Sequence, residues 1–133
     1  MKYVYPAVFV PEDVGGYFIS FPDIKMGGTQ GKDLIQGIEM AEDFLCLALY
    51  HMEEEKSEIP KASNPKDINA GEDAIVTLIS ADTDEYRRFY ENKLVKKTLN
   101  IPSWLNAKAE KAGVNFSQLL QASLREHLGI AQS

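Results

Sequence analysis

The chain has few of the residues that build redox or metal sites. It contains one cysteine, Cys46, and two histidines, His51 and His127, among 133 residues. A single cysteine excludes an internal disulfide, and the apolar helical pattern around it favours a buried structural thiol over a nucleophile. The histidines are far apart in sequence and have no accompanying cysteine spacing. The sequence therefore gives no support for a zinc site or for a catalytic cysteine.

Long apolar runs are absent as well. No stretch approaches the roughly 18 apolar residues that a membrane span requires, and the first residues lack the apolar core of a signal peptide. With 44% apolar and 26% charged residues, the composition is that of an ordinary soluble protein. We therefore expect a cytoplasmic protein with no membrane segment.

Positive charge is scarce in the first two thirds of the chain. Residues 1–92 contain 8 Lys and Arg against 18 Asp and Glu, a net charge of −10, whereas residues 93–133 contain 6 against 2, a net charge of +4. A basic segment suits DNA, while an acidic one is repelled by DNA and attracts a basic protein. The alternative is that the acidity only keeps the protein soluble. The division predicts two domains, 1–92 and 93–133.

Residues 93–133 begin with a short strand pattern. Its polar face contains Lys96, Thr98 and Asn100, and its apolar face contains Val95, Leu99 and Ile101. A lone strand cannot satisfy its own backbone hydrogen bonds, and about 35 residues make too small a core, so we expect dimerisation. Two copies would form an antiparallel ribbon that fits the major groove of DNA.

Two helices follow this strand. The first begins at Pro102 or Ser103 and ends at Gly113, because glycine is common just past a helix. The second follows Asn115, which forms a capping box with Gln118. The apolar positions are Trp104, Leu105, Ala109 and Ala112 in the first helix and Phe116, Leu119, Leu120, Leu124 and Leu128 in the second. The alternative is an ordinary helical hairpin beside an edge strand whose lysines only prevent aggregation.

Residues 1–92 open with three predicted strands. Residues 2–10 and 17–21 form a hairpin pattern across a glycine-containing turn, and a third strand is expected over residues 25–29. Pro6 indicates an edge or a bulge near the start of the first strand, because proline has no amide to donate.

A long helix comes next. Asp33 and Gln36 provide its N-terminal cap, and apolar residues then recur at alternating four-residue and three-residue spacing up to residue 52. Gly37 inside this helix suggests a close backbone contact, since glycine there costs about 1 kcal/mol relative to alanine. The helix is expected to end at residues 53–55, and residues 56–73 are expected to form a mobile loop.

A strand and a short helix complete the first domain. Residues 74–81 are expected to form a strand at the centre of the sheet. Asp82 then caps a helix whose predicted buried face is Tyr86, Phe89 and Tyr90. The order β-β-β-α-β-α predicts an α+β domain with helices packed on one face of the sheet.

The sequence resembles the HicB family of type II antitoxins along most of its length. The strings Lys-Lys-Thr-Leu-Asn-Ile-Pro-x-Trp-Leu (96–105) and Gly-Val-Asn-Phe-Ser-Gln-Leu-Leu (113–120) are similar to the family's C-terminal ribbon-helix-helix domain. Residues 5–9, 15–23 and 27–31 resemble its N-terminal domain, a truncated relative of ribonuclease H. Residues 26–28 and 33–37 depart from the family pattern, which we expect to alter partner specificity near the long helix.

The resemblance implies an antitoxin that is not an enzyme and needs no cofactor. The acidic domain would sequester a HicA-type toxin, a messenger-RNA-cleaving protein. The C-terminal ribbon would form a homodimer, with further pairing of dimers allowed, and repress its own operon at an inverted repeat in the operator. By the same resemblance, base edges are read by Lys96, Thr98 and Asn100. A DNA phosphate is contacted at the start of the second helix by Asn115, Phe116 and Ser117.

Two other functions stay open at this stage. A metal-dependent ribonuclease needs clustered carboxylates, but residues 2–10 contain no acid. At most a weak surface metal site could form from Asp23, Glu39, Glu42 and Asp43. The other possibility is a ligand-controlled ribbon-helix-helix repressor, in which the first domain binds a small molecule in a concave pocket.

Overall fold

The computed structural model describes residues 1–131. The chain folds into two compact units, Met1–Lys93 and a second unit that begins at Leu94. The first unit contains β1 (Lys2–Pro11), β2 (Tyr17–Phe21), β3 (Ile24–Gly31), α1 (Leu34–Glu54), β4 (Ile75–Asp82) and α2 (Thr83–Tyr90). The second contains α3 (Ser103–Lys111) and α4 (Phe116–Leu128). In the described part of the chain, no helix is long and apolar enough to cross a membrane.

The strands form one antiparallel sheet in the order β3-β2-β1-β4. The prediction that β4 is central is wrong, because β4 pairs with β1 alone and lies at the edge. The central position belongs to β1, which has five consecutive buried residues from Tyr5 to Phe9. Pairing with β2 begins only at Val8, so Pro6 lies where β1 is an edge on that side. The edge predicted from Pro6 is therefore confirmed.

The core lies between one face of the sheet and α1. It consists of Tyr5, Ala7, Phe9, Ile19, Phe21, Ile24, Ala41, Leu45, Ala48, Leu49, Ile79 and Ala81. Alternate residues of β1 and β4 point to this face, as the two-residue period of a strand requires. The predicted apolar stripe of α1 is only partly buried, since Leu34 and Ile38 are exposed.

Three helix caps predicted from the sequence are confirmed. The Asp33 carboxylate accepts from the Gln36 amide at 2.8 Å. Asp82 accepts from the first turn of α2, with its Oδ1 atom 3.0 Å from the Asp84 amide nitrogen. Asn115 accepts from the Gln118 amide at 3.1 Å. Each cap satisfies an amide that the first helical turn leaves without an internal partner.

The loop after α1 is bonded to β1 and to the turn between β2 and β3. The Tyr5 hydroxyl donates to the Pro60 carbonyl, and the Asp23 carboxylate accepts from the Ser63 amide at 2.9 Å. Ile59 packs against the core. The segment predicted to be a mobile loop is thus held at three points, by contacts with residues distant in sequence.

Two glycines allow β3 and α1 to approach closely. A Cβ atom on Gly31 would lie 2.4 Å from the Gly37 Cα atom, and one on Gly37 would lie 3.0 Å from a ring carbon of Phe9. The first distance is far inside van der Waals contact and involves backbone, which cannot rotate away. The close contact expected from Gly37 is confirmed, and its partner is Gly31.

Replacing Gly31 with alanine is expected to lower the free energy of unfolding by about 2–4 kcal/mol, because α1 must move off the sheet to admit the methyl group. Urea unfolding followed by circular dichroism measures this loss. Gly71→Ala is the control: Gly71 has φ of +94° and open space around its Cβ position. It should lose only about 1–2 kcal/mol, from backbone strain. Equal losses in both variants would contradict the packing argument.

Candidate functional site

The residues predicted to read DNA bases lie on an exposed segment before α3. Lys96, Thr98 and Asn100 are all exposed, and residues 91–102 contain no assigned strand in the single chain. The expected strand is therefore not present here. A strand is defined by hydrogen bonds to a neighbour, and this segment has no neighbouring strand within residues 1–131. Formation of the ribbon by two chains stays a prediction.

The residues predicted to contact a phosphate lie at the start of α4. Asn115 is the N-cap residue, and Phe116 and Ser117 are the first two helical residues, all three exposed. The first amides of a helix lack internal partners and favour an anion. In the described chain, no hydrogen bond or ion pair joins these residues to the base-reading set. The structure thus shows where α4 begins. A DNA-binding surface that combines these residues with the base-reading set stays a prediction.

The second unit exposes an unusual amount of apolar surface. It has no residue in the buried class among those described, and Trp104 is 62% exposed. The other large exposed apolar residues are Leu94, Val95, Leu99, Ile101, Leu105, Phe116, Leu119, Leu124, Leu128 and Ile130. Extended apolar exposure of this kind marks an interaction surface. Units of about 40 residues usually need a disulfide, a metal ion or association with another chain to be stable.

A groove in the first unit was not anticipated from the sequence. It is a cavity of about 660 Å³ between α1 and α2, above the paired ends of β1 and β4, and we call it the α1–α2 groove. Its lining residues are Lys2, Tyr3, Val4, Glu42, Asp43, Cys46, Leu47, Ser80, Ala81, Asp82, Glu85, Tyr86, Phe89 and Tyr90. These residues come from four elements, so no local sequence pattern could have indicated that they converge.

The aromatic residues of α2 correct a prediction. Tyr86 is partly buried, but Phe89 is 69% exposed and Tyr90 is 70% exposed. The expected buried face is therefore wrong for these last two residues. The α2 helix is only eight residues long, and it contacts α1 through Tyr86 and Arg87. Its final turn extends beyond that contact and borders the α1–α2 groove.

A partly buried carboxylate, Glu53, joins α2 to the sheet and to α1. Glu53 accepts hydrogen bonds from the Tyr3 hydroxyl at 2.6 Å, the Thr83 hydroxyl at 3.0 Å and the Arg87 guanidinium at 2.7 Å. Arg87 also pairs with Glu54 at 2.8 Å. Burial opposes ionisation, but these hydrogen bonds outweigh it and lower the pKa of Glu53. We call Tyr3, Glu53, Thr83 and Arg87 the Glu53 cluster.

Cys46 lies close to several of the acidic residues of the α1–α2 groove. Cys46 is partly buried, and its thiol donates to the Asp82 carbonyl at 3.5 Å. Burial raises the pKa of this thiol, and the charges of Asp82, Asp43 and Glu85 raise it further. A raised pKa keeps the thiol protonated and unreactive. The structure thus favours the structural thiol predicted from the sequence over a nucleophile.

The four acids that the sequence offered for a metal site do not form a metal-binding group in the structure. Across residues 1–131, no group of three or more His, Cys, Asp or Glu side chains is arranged to hold a metal ion. Asp23 accepts hydrogen bonds from Ser63. Glu39, Glu42 and Asp43 are exposed on α1. The geometry therefore offers no support for metal-dependent chemistry at these acids.

Part of the chain is similar to proteins of known class. It is 43% identical over 56 residues to Antitoxin HicB 1 of Photorhabdus laumondii and 37% identical over 59 residues to Antitoxin HicB of Escherichia coli K12. These matches cover 42% and 44% of this chain but only 36% and 43% of the relatives. The chain thus spans less than half the length of the curated relatives that it matches. No family model matches it.

Two solved structures resemble nearly the whole chain. One belongs to a toxin–antitoxin complex from Streptococcus pneumoniae, with a TM-score of 0.62 and 25% identity, covering 96% of this chain and 99% of that one. The other is the antitoxin HicB of Burkholderia pseudomallei, with a TM-score of 0.54 and 17% identity, covering 93% and 98%. At that identity, the second likeness concerns the fold alone. The expected α+β class is confirmed.

Proposed function

We propose that this chain is an antitoxin of the HicB family and acts in a type II toxin–antitoxin pair. The unit Met1–Lys93 binds and sequesters the toxin, and the unit that begins at Leu94 binds operator DNA. The observation that best supports this division is the charge distribution. Residues 1–92 have a net charge of −10 and residues 93–133 of +4, and the chain folds as two units whose boundary, between Lys93 and Leu94, is one residue away from this division.

Toxin neutralisation requires binding and no chemistry from this chain. A toxin that cleaves messenger RNA must present a basic surface to its anionic substrate. The acidic first unit is complementary to such a surface, and complementary charge speeds association and excludes wrong partners. The solved structure from a toxin–antitoxin complex, which matches 96% of this chain, supports a protein partner of this kind.

Repression would use a homodimer of the second unit. Pairing of residues 95–101 from two chains would give the exposed segment the hydrogen bonds that it lacks in one chain. The resulting ribbon would present two copies of Lys96, Thr98 and Asn100 to the major groove. A two-fold symmetric protein matches an inverted repeat, and its affinity should fall steeply as salt rises.

Coexpression with the protein encoded beside this chain tests the proposal. We expect a stable complex in size-exclusion chromatography and suppression of messenger RNA cleavage when this chain is present. The control is the neighbouring protein alone, which should cleave messenger RNA in the same assay. Failure to form a complex, with operator binding retained, would contradict the antitoxin function and favour the ligand-controlled repressor.

A further inference from the structure

We propose that the α1–α2 groove is the docking site of the toxin, and that its occupant is a basic segment of that protein bearing arginine beside an apolar side chain. This inference rests on the proposed function and adds to it a location and a partner chemistry. Three properties of the groove support it: a fixed shape, exposed aromatic rings and carboxylates without cationic partners.

The shape of the groove is set by contacts at one end. The Glu53 cluster and the Tyr50–Tyr86 ring contact, with centroids 4.7 Å apart, join α2 to α1. The groove opens one to three turns earlier in α1, at positions 42, 43, 46 and 47. Positions four apart on a helix lie on the same side, so these four residues form one wall. Because these contacts hold α1 against α2 in the free chain, the groove is formed before any partner binds. Binding therefore costs less conformational entropy.

Exposed apolar groups line the outer part of the groove. Phe89 and Tyr90 extend from the last turn of α2, and Leu47 faces them from α1, with all three exposed. Isolated exposed apolar residues are common, but a group of them bordering a concave site indicates a protein-binding surface. Rings of this type attract a guanidinium group by cation–π interaction, as the chain's own Arg88 does at 6.0 Å from the Phe89 ring centroid. The Tyr90 ring packs on Tyr86, with centroids 4.7 Å apart. This chemistry favours arginine in the occupant.

The charge of the groove selects a cationic occupant. Glu42, Asp43 and Glu85 line it, and no Lys, Arg or His within residues 1–131 forms an ion pair with any of them. Asp82 is already occupied, since it caps α2 and lies 3.7 Å from the amino terminus. Lys2 is the one basic side chain among the lining residues. Nucleic acid and acidic segments would be repelled, whereas a basic segment would be attracted.

Charge reversal in the full-length chain tests this assignment. The Glu42→Lys/Asp43→Lys variant should bind a catalytically inactive form of the neighbouring protein about 100-fold more weakly, mainly through slower association. The Phe89→Ala/Tyr90→Ala variant should weaken binding about 30-fold or more, mainly through faster dissociation. Biolayer interferometry at low and high salt gives both rate constants.

Matched controls separate the groove from general effects. Glu39→Lys/Glu58→Lys makes the same charge change at exposed positions outside the groove, and Val14→Ala/Leu78→Ala removes exposed apolar groups elsewhere. Both should stay within about threefold of the parent affinity. If the groove variants also stay within threefold while the parent chain binds tightly, the groove assignment is wrong and the proposed function stands. If the parent chain does not bind at all, both are wrong.

Hydrogen exchange on the unaltered chain provides a test that does not depend on the folding of variants. Complex formation should slow amide exchange in residues 42–47 and 85–90 and leave residues 65–73 unchanged. Absence of protection at the groove in a saturated complex would overturn the proposal. Protection that already appears in the free chain and grows with its concentration would also overturn it, because the occupant would then be a second copy.

Discussion

Replacing Lys96, Thr98 and Asn100 together with alanine is expected to abolish operator binding and to leave toxin binding unchanged. Each base-reading side chain contributes about 1–3 kcal/mol of discrimination, and a dimer would lose both sets. The affinity for operator should therefore fall at least about 1000-fold, to the level of non-specific DNA. Fluorescence anisotropy with labelled operator at a fixed salt concentration measures the loss.

Lys108→Ala/Lys111→Ala is the control for this variant, because it removes positive charge from α3 without touching the proposed ribbon. It should weaken operator and unrelated DNA alike and only modestly. Retention of operator affinity in the triple variant would refute the base-reading assignment. Loss of toxin binding in the triple variant would instead refute the division of functions between the two units.

Replacing Leu124 with aspartate is expected to convert the chain to a monomer and, as a result, to remove operator binding. Leu124 is exposed on α4 in the single chain, as are Leu119 and Leu128. If dimerisation covers these side chains, a buried unpaired carboxylate would cost several kcal/mol in each chain. Analytical ultracentrifugation measures the change in mass. The free-energy cost arises only on association, so the first unit should keep its stability.

The fluorescence of Trp104 provides a second measure of dimerisation. Trp104 is the one tryptophan of the sequence and is 62% exposed in the single chain. Burial at a dimer interface should shift its emission to shorter wavelength in the parent chain and not in Leu124→Asp. Gln121→Asp places the same charge on an exposed polar position of α4 and should remain a dimer. A dimeric Leu124→Asp variant would show that α4 does not form the interface.

Features that depend on neighbours in sequence could be predicted from the sequence. The caps at Asp33, Asp82 and Asn115 lie where the capping patterns indicated. The end of α3 before Gly113, which has φ of +72°, also agrees with the prediction. These features are local because a cap bonds to an amide two or three residues away and a glycine conformation concerns one residue.

Features that depend on contacts between distant segments were predicted poorly. The apolar residues of β4 suggested a central strand, yet β4 lies at the edge because β1 occupies the centre. The aromatic residues of α2 suggested a buried face, yet Phe89 and Tyr90 are exposed at the border of the α1–α2 groove. Hydrophobicity indicates that a side chain favours burial, but whether another element covers it depends on the length and placement of that element.

The sequence by itself determined the helices and their caps, the three opening strands, the two-unit charge division and the resemblance to the HicB family. Only the tertiary structure decided the strand order, the contact between Gly31 and Gly37, and the groove that brings acids of α1 together with aromatic rings of α2. The physical reason is the distance along the sequence over which each kind of interaction acts. Helix periodicity and capping act over a few residues, whereas register, packing and surface shape arise from residues up to eighty positions apart.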